Sequence, residues 1–325
     1  MDFLSLYSEL FNQKLSALIS EQQSSHQLYA PINYTLGLGG KRLRPLLTLM
    51  AATSFGSNHD DAMAAALAVE VFHNFTLIHD DVMDDAPLRR GFTTVHQKWD
   101  LNAAILSGDA MMILAYKQLE YYTDERFMQL MKVFNQVALA VCEGQQLDIN
   151  FENQSVVDEE DYILMIQQKT AVLVAAALQM GAIVAGADSH NQQGIYTFGL
   201  ELGLAFQLQD DYLDAFGNPE TFGKQVGGDI IENKKTYLYL KAMEALQDGK
   251  LERLRELFTQ EGLASEDKIE EVKGLYRESM ADEALKDKID QHTQKALRAL
   301  DNTSLSSSKK EQFRKFALWL MTRKS

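Results

Sequence analysis

Two short segments of this sequence carry aspartates in the same spacing, D-D-x-x-D. On a helix, residues four apart lie on one face, so each segment can offer two carboxylates side by side. The pairs are Asp80 with Asp84, and Asp210 with Asp214. Paired carboxylates suit a hard divalent cation, and Mg²⁺ fits better than Ca²⁺ because it takes few carboxylates and completes its shell with water and substrate phosphates. The spacing therefore indicates two magnesium-binding segments.

Each acidic segment follows an apolar run and precedes a helix stop, Pro87 in one case and Gly217-Asn218-Pro219 in the other. The segments are thus predicted at helix C-termini, where the helix dipole disfavours each carboxylate by about 0.3–1 kcal/mol. A single such segment would be a solvated acidic helix end, but two with the same spacing favour a function that supplies positive charge. Asp85 and Asp211 fall outside the two pairs and are predicted to be solvated or to lie behind the ligands.

Basic residues are concentrated in a few places of an otherwise acidic chain. The first is the run Gly39-Gly40-Lys41-Arg42-Leu43-Arg44-Pro45, in which the glycines allow a close bend and two side chains three apart can converge on one anion. A solvated surface run remains an alternative for it. The others are Arg89-Arg90, Lys169-Thr170, Lys224 and Lys234. We expect two polyanionic groups, one bound through metal and one bound directly by lysine and arginine.

Composition narrows the function classes. The chain has 325 residues, of which 46% are hydrophobic, and a net charge of -15. This charge excludes broad attraction to nucleic acid or to anionic lipid. The single cysteine, Cys142, suggests a reducing compartment. The N-terminal segment lacks the pattern of a signal peptide, and the apolar stretch 171–187 is short and alanine-rich for a membrane span. We therefore expect a cytoplasmic protein without a membrane span.

The fold class predicted is all-α. Only four prolines occur, and none lies between Pro87 and Pro219. Apolar residues recur at helical spacing in segments near 1–20, 45–56, 60–86, 101–121, 125–150, 158–187, 190–216, 234–247, 250–261, 266–298 and 308–323. No strand ladder is evident. Without a Pro, Gly or Ser-rich linker, we expect a single domain over 1–325, with a motif-bearing core at about 30–240 and a charge-rich peripheral helical layer at about 250–325.

The ordered motifs resemble those of the trans-type isoprenyl diphosphate synthases, which make farnesyl, geranylgeranyl and longer polyprenyl diphosphates. They are GGKRLRP at 39–45, HNFTLIHDDVMD at 73–84, LRRG at 88–91, GD at 108–109, KT at 169–170, FQLQDDYLD at 206–214, and GKQVGGD with NKKT within 223–236. The resemblance implies the isoprenoid synthase helical bundle around a central cavity, a homodimer, and about three Mg²⁺ ions per active site.

The resemblance also implies roles for individual residues. Metal would be bound by Asp80, Asp81, Asp84, Asp210 and Asp214. The allylic diphosphate (dimethylallyl, geranyl or farnesyl) would be held by Arg89, Lys169, Lys224 and Lys234. Isopentenyl diphosphate would be bound by Lys41, Arg44, His73 and Arg90, although His73 can also be interpreted as a core histidine. Thr170, Gln207 and the carbonyl group of Lys169 would face the developing carbocation.

The implied activity is head-to-tail condensation by ionisation, condensation and proton loss. In the family, the residues five and four before the first D-D-x-x-D cap the product cavity, and these are Phe75 and Thr76. One bulky residue and one smaller residue favour a C20 product, geranylgeranyl diphosphate, with the C15 farnesyl diphosphate as the alternative. A class I terpene cyclase, a head-to-head synthase and a non-catalytic regulatory subunit are the rival interpretations. Both acidic segments and the basic run argue against them.

Overall fold

The structure is a computed structural model that describes residues 2–21, 27–123, 125–154, 156–217, 226–259 and 265–322. Its helices are α1 (Asp2–Glu21), α2 (Tyr29–Gly37), α3 (Leu43–Ser54), α4 (His59–Met83), α5 (Val95–Lys98), α6 (Leu101–Leu119), α7 (Glu125–Asn153), α8 (Glu159–Ile166), α9 (Val172–Val184), α10 (Ser189–Phe216), α11 (Gly228–Ile231), α12 (Tyr237–Ala245), α13 (Asp248–Leu257), α14 (Ser265–Glu278), α15 (Ala281–Asp301) and α16 (Ser307–Thr322). A π-helical segment, Gln167–Ala171, joins α8 to α9, and strands β1 (Leu88–Arg89) and β2 (Phe92–Thr93) form a hairpin.

The predicted all-α class is confirmed, since the described residues are mostly helical and their strands form one short hairpin. The short helices α2, α5 and α11 were not predicted, because so few residues carry no clear periodicity. The segment predicted as one helix near 266–298 is two, α14 and α15, because Met280 takes a left-handed conformation with φ of 61° between them. Helical periodicity continues across such a break, so the sequence pattern does not reveal it.

The hairpin β1–β2 closes through a two-residue turn, Arg90-Gly91, in which both residues have positive φ, 54° and 80°. Positive φ at both central positions is the geometry of a type I′ turn, whose twist matches that of paired strands. The hairpin follows α4 after Pro87. The hairpin therefore places Arg89 and Arg90 directly after the acidic end of α4.

The chain packs as two compact units. The first contains Met1–Asn135 and Ala176–Ile195. Its central helix is α4, which lies against α3 and α6. Phe72 of α4 is fully buried and packs edge-on against Phe134, with 5.3 Å between ring centroids. Burying one such ring stabilises the fold by about 1.5–3 kcal/mol, which helps to fix the C-terminal half of α4.

The second unit contains Gln136–Ala175 and Tyr196–Ser325. Its core joins α8, α10, α12, α14 and α15, with Leu208, Tyr276 and Leu285 almost completely buried. The extended core includes residues beyond 250, so the charge-rich C-terminal part contributes buried packing to this unit. The single domain over 1–325 stays a prediction.

Asparagine and aspartate side chains cap the N-termini of helices that carry the candidate site. The side-chain oxygen of Asn58 accepts from the backbone N–H of Asp61 at 2.8 Å at the start of α4. Asp158 accepts from the N–H of Asp161 at 2.9 Å at the start of α8. Each such cap stabilises a helix by about 1 kcal/mol, because it satisfies a backbone donor that has no partner within the helix.

Two helical stretches are long and apolar enough to cross a membrane by length and composition, His59–Met83 and Glu159–Val184. In their most apolar windows, 67% and 56% of the residues are buried inside the protein. Buried core helices of soluble proteins pass the same test, so these helices are weak evidence for a span. The absence of a membrane span and the cytoplasmic location stay predictions.

Candidate active site

The first acidic segment lies at the C-terminal end of α4, as predicted. Asp80 is half-buried, and Asp84 is the exposed residue that directly follows the helix. The backbone N–H of Asp84 still donates to the carbonyl oxygen of Asp80 at 2.8 Å, so the two residues lie one helical turn apart. Asp85, which has φ of 46°, is exposed and lies 3.5 Å from the imidazole of His96. The paired arrangement of Asp80 and Asp84 that the spacing predicts is therefore present in the backbone.

Asp81 differs from its two neighbours because it is buried and bound to an arginine. Its Oδ1 atom accepts a hydrogen bond from Nε of Arg89 at 2.5 Å. Burial raises the pKa of the Asp81 carboxyl, and the adjacent Arg89 guanidinium opposes that rise. This contact orients Arg89 at the acidic helix end. The role of Asp81 as a metal ligand stays a prediction.

Four arginines of the first unit act electrostatically on His73. Arg44 Nη1 lies 3.1 Å from His73 Nε2, which is a hydrogen bond to a neutral imidazole. The pKa of His73 is well below its usual range, because the surrounding protein removes water from the ring and because four arginines, first Arg44 and then Arg90, Arg89 and Arg42, disfavour a further positive charge. Such a concentration of arginine charge in an acidic protein is typical of an anion-binding site, and two of the four arginines, Arg89 and Arg42, already pair with carboxylates.

The glycine-rich run allows Arg90 to reach the backbone beside Lys41. Nη1 of Arg90 donates to the carbonyl oxygen of Gly39. Gly40 has φ of 131°, and a Cβ there would stand 2.6 Å from the same nitrogen. The backbone conformation therefore favours glycine at position 40, and a larger residue there would also displace the end of the Arg90 side chain. Lys41 is exposed at this bend.

Arg42, in the middle of the basic run, has a structural role that the sequence did not reveal. It is buried and has φ of 48°, and its Nη1 lies 2.5 Å from Glu70 Oε1 of α4. Its Nη2 donates to the carbonyl oxygen of Leu36 at 2.6 Å, and Asn74 donates to Glu70 at 3.0 Å. A buried ion pair with these additional hydrogen bonds fixes the bend before α3 on the surface of α4. The surface-run interpretation therefore does not hold for Arg42.

The second acidic segment lies near the end of α10. Asp210 and Asp214 are half-buried, one helical turn apart. Oδ2 of Asp214 accepts from the backbone N–H of Asp229 at 3.0 Å, at the start of α11. Asp229 was quoted in a motif but was not named as a site residue. Its charge acts on both Asp211 and Lys234, so a further carboxylate belongs to this cluster.

Asp211, predicted to be solvated or to lie behind the ligands, is buried. It accepts hydrogen bonds from the hydroxyl group of Tyr162 and, at 3.1 Å, from Nε2 of Gln207. Burial and the charge of Asp229 raise the pKa of its carboxyl well above the usual range. Tyr162 was not identified from the sequence.

The π-helical segment presents Lys169 and Thr170. Nζ of Lys169 lies 2.5 Å from Asp148 Oδ2 of α7, and Thr170 Oγ1 donates to Gln207 Oε1 at 3.1 Å. The predicted pair of Thr170 and Gln207 is thus brought together. Glycine at position 203 permits close packing here, because a Cβ there would stand 2.7 Å from the Cα atom of Ala171. Single π-helical turns are frequent at functional sites because they redirect side chains.

The remaining predicted cations have different environments. Lys234 lies 2.9 Å from Glu232. Burial acts to lower its pKa, but the bond to Glu232 and the charge of Asp229 outweigh this and raise it. Lys235 donates to the carbonyl oxygens of Phe151 and Gln154 at 2.7 and 2.6 Å, so it stabilises the C-terminal end of α7. Lys224 lies outside the described residues.

Phe75 and Thr76, the predicted cap of the product cavity, lie on α4 one turn before the acidic segment and are half-buried. The ring of Phe75 lies against Phe72 and His79, with 5.5 and 4.8 Å between ring centroids. Thr76 Oγ1 donates to the carbonyl oxygen of His73 at 2.8 Å. Both side chains are therefore held in defined orientations. Their role in chain length stays a prediction.

The acidic segments fit magnesium through their ligand chemistry. Within the part of the chain that the structure describes, no group of three or more His, Cys, Asp or Glu side chains is arranged to hold an ion by itself. Mg²⁺ commonly binds through one or two carboxylates while water and substrate phosphates provide its other ligands. Carboxylate oxygens that could serve as such ligands belong to the half-buried Asp80 and Asp210 and to the exposed Asp84.

Comparisons with known proteins agree with the class that fold and site define, an all-helical enzyme acting on diphosphates. A crystal structure of a geranylgeranyl pyrophosphate synthase matches with a TM-score of 0.94 and 52% identity, over 99% of both chains. A geranylgeranyl pyrophosphate synthase of Geoglobus acetivorans is 36% identical over 83% of this chain and 82% of its own. A geranylfarnesyl diphosphate synthase of Natronomonas pharaonis is 39% identical over 73% of this chain and 74% of its own.

The sequence model of the polyprenyl synthetase family matches residues 25–276. The chain therefore belongs to the polyprenyl synthetase family. The resemblance to trans-type isoprenyl diphosphate synthases is confirmed.

Proposed function

We propose that this protein is a magnesium-dependent prenyltransferase that condenses isopentenyl diphosphate head-to-tail with allylic diphosphates, with geranylgeranyl diphosphate as its product. The observation that carries the proposal is the group of arginines around His73, next to the acidic end of α4. A site that combines arginines with paired carboxylates suits a substrate pair in which one diphosphate is bound directly and the other through metal. Family membership and the names of the relatives support the same reaction.

Isopentenyl diphosphate would be bound by Lys41, Arg44, His73 and Arg90. The neutral His73 accepts from Arg44 and so directs its guanidinium, while Arg90 is held by the Gly39 carbonyl group. Arginine binds phosphate oxygens in pairs, which gives both affinity and orientation. The proposed substrate therefore meets groups that are already oriented.

The allylic diphosphate would be bound by Asp80, Asp84 and Asp210 through about three Mg²⁺ ions, and directly by Arg89, Lys169, Lys224 and Lys234. Bound magnesium would neutralise the departing diphosphate. Arg89, oriented by Asp81, and Lys169, oriented by Asp148, add positive charge to the leaving group. The oxygen atoms of Thr170 and Gln207 would face the carbocation, and apolar walls would exclude water so that isopentenyl diphosphate captures it. The released diphosphate can accept the final proton.

Phe75 and Thr76 support a C20 product, with C15 as the alternative. The C20 proposal agrees with two of the three relatives described above, which are geranylgeranyl pyrophosphate synthases, while the third makes a longer product by its name. A non-catalytic regulatory subunit is disfavoured because both acidic segments are intact.

We also propose a cytoplasmic homodimer, as the resemblance implies. Helix α6 belongs to the first unit. It exposes four large apolar side chains, Leu101, Ile105, Leu106 and Ile113. Exposed apolar residues along one helix are typical of a surface that a partner covers. Light scattering on the purified chain would give twice the mass of 36.7 kDa for a dimer and the single mass for a monomer.

Incubation of the purified protein with isopentenyl and dimethylallyl diphosphates tests the proposed function. We expect geranylgeranyl diphosphate by mass spectrometry, formed with Mg²⁺ and lost when EDTA removes the metal. No condensation product under any divalent metal would contradict the proposal. Formation of squalene-like or cyclic products without use of isopentenyl diphosphate would favour the head-to-head or cyclase rivals.

A further inference from the structure

Tyr162 and Asp211 form a buried pair behind the residues that are proposed to face the carbocation. Tyr162 is 3% exposed and Asp211 is 5% exposed. The hydroxyl group of Tyr162, on α8, donates to Oδ2 of Asp211, on α10. The pairing could not be predicted from the sequence, because the two residues lie 49 positions apart.

The other oxygen of Asp211 determines the orientation of the Gln207 amide. Oδ1 accepts from Nε2 of Gln207 at 3.1 Å. This contact places the NH₂ group of Gln207 on the Asp211 side and its carbonyl oxygen on the opposite side. There, Oε1 of Gln207 accepts from the hydroxyl group of Thr170 at 3.1 Å. Four side chains thus form one continuous chain of hydrogen bonds.

This polarity matters for a reaction that develops positive charge. The hydroxyl group of Thr170 donates a hydrogen bond to Gln207, so the lone pairs of its oxygen can face the substrate. The two side chains can then present oxygen atoms, the negative ends of their dipoles. With the amide reversed, Gln207 would direct N–H groups towards Thr170 and the positive ends of their dipoles towards the same region. Dipoles stabilise a transition state most effectively when their orientation is set before the reaction, because no energy is then spent on reorienting them.

We propose that Tyr162 is a positioning residue for the prenyl transfer reaction, which acts through Asp211 to hold the Gln207 amide with its oxygen towards the forming allylic cation. This inference rests on the proposed function. It assigns a kinetic role to a tyrosine that itself does not touch the substrate. Because Tyr162 belongs to the buried core of the second unit, a purely structural role must be separated from the positioning role.

A double-mutant cycle separates the two roles. Tyr162→Phe removes only the hydroxyl group, and we expect kcat to fall about 10- to 100-fold while the KM of both substrates stays within about twofold. Gln207→Leu removes the amide that Tyr162 is proposed to orient. In the Gln207→Leu background, Tyr162→Phe should have no further effect on kcat, because residues that act through one group are not additive.

Tyr276→Phe is the matched control, because Tyr276 is a fully buried tyrosine of the same core. It should leave kcat unchanged, and circular dichroism should show both tyrosine variants folded. If Tyr162→Phe does not fold, Asp211→Leu carries the same cycle, since it removes the acceptor for Gln207 at similar volume.

Equal losses of kcat in the wild-type and Gln207→Leu backgrounds would overturn the inference, as would a loss expressed only in KM. An unchanged kcat for folded Tyr162→Phe would also overturn it. Failure of the proposed function is distinguishable, because the wild-type chain itself would then form no condensation product.

Discussion

Gly144 of α7 lies directly beneath Lys169, at a position where a Cβ atom would stand 2.3 Å from the Lys169 backbone nitrogen. Real Cβ atoms do not approach backbone atoms so closely, so the π-helical segment can occupy its place only over a glycine. This segment presents Lys169 and Thr170. A residue with no functional side chain therefore determines where two candidate catalytic groups lie.

Gly144→Ala should displace the π-helical segment. We expect a free energy of unfolding lower by about 1–3 kcal/mol and a kcat lower by about 100-fold, because small displacements of reacting groups have large effects. Gly274→Ala is the matched control, since nothing lies within 4 Å of its Cβ position inside α14. It should raise the free energy of unfolding by about 0.5–1 kcal/mol and leave kcat unchanged. Equal kcat for the two variants would refute the explanation.

Asp81→Asn should weaken the orientation of Arg89 without removing a paired carboxylate of the acidic segment. The bond between Arg89 and Asp81 is charge-assisted and worth about 1.5–3 kcal/mol. We expect the KM of the allylic diphosphate to rise about tenfold or more, with a smaller change in kcat. Asp85→Asn, at an exposed neighbour, should leave both parameters unchanged. A large fall in kcat with unchanged KM would instead indicate that Asp81 binds metal.

The pH dependence of stability should report the half-buried His73. The pKa of this imidazole is lower in the folded state than in the unfolded state, where it is about 6.5. Between these two pKa values the unfolded state binds more protons than the folded state. The free energy of unfolding therefore rises with pH in this range. The wild type should therefore lose stability as pH falls below about 6.5. The groups facing His73 are arginines, which do not titrate in this range. The His73→Gln variant should lack this contribution to the loss of stability, because it has no imidazole at position 73.

Urea unfolding at pH 7.5, 6.5 and 5.5 measures the effect. The stability advantage of the wild type over His73→Gln should shrink as the pH falls. The same difference at all three pH values would show that His73 takes up a proton equally well in the folded and unfolded states.

Phe75→Ala should lengthen the product if Phe75 caps the cavity. The substitution removes the ring that packs against Phe72 and His79. We expect C25 and longer prenyl diphosphates by mass spectrometry. Phe92→Ala, at an exposed ring of the hairpin, should keep the wild-type product. An unchanged chain length for folded Phe75→Ala would refute the cap assignment.

The parts of the fold and site that follow local rules could be predicted from the sequence. Periodicity predicted the long helices α4 and α10, and the i, i+4 spacing predicted that Asp84 lies one turn above Asp80. The β hairpin was not predicted, because its turn, Arg90-Gly91, lacks the Asn-Gly or Asp-Gly pair that is typical of such turns.

The polar contacts that orient the site could not be predicted, because they join residues far apart in the chain. Arg42 finds Glu70 and Lys169 finds Asp148 only after the helices pack. In the sequence, Arg42 is indistinguishable from its basic neighbours, although it is buried and they are not. A single sequence shows which side chains can bind an anion or a metal, but it does not show which of them are already paired.

A crystal structure of the protein with Mg²⁺ and a non-hydrolysable allylic diphosphate analogue would test the central claim most directly. We predict that carboxylate oxygens of Asp80, Asp84 and Asp210 lie within about 2.1 Å of magnesium ions that the diphosphate bridges, with Arg89 and Lys169 on its phosphate oxygens. A diphosphate bound away from these residues, with no ion on either acidic segment, would contradict it.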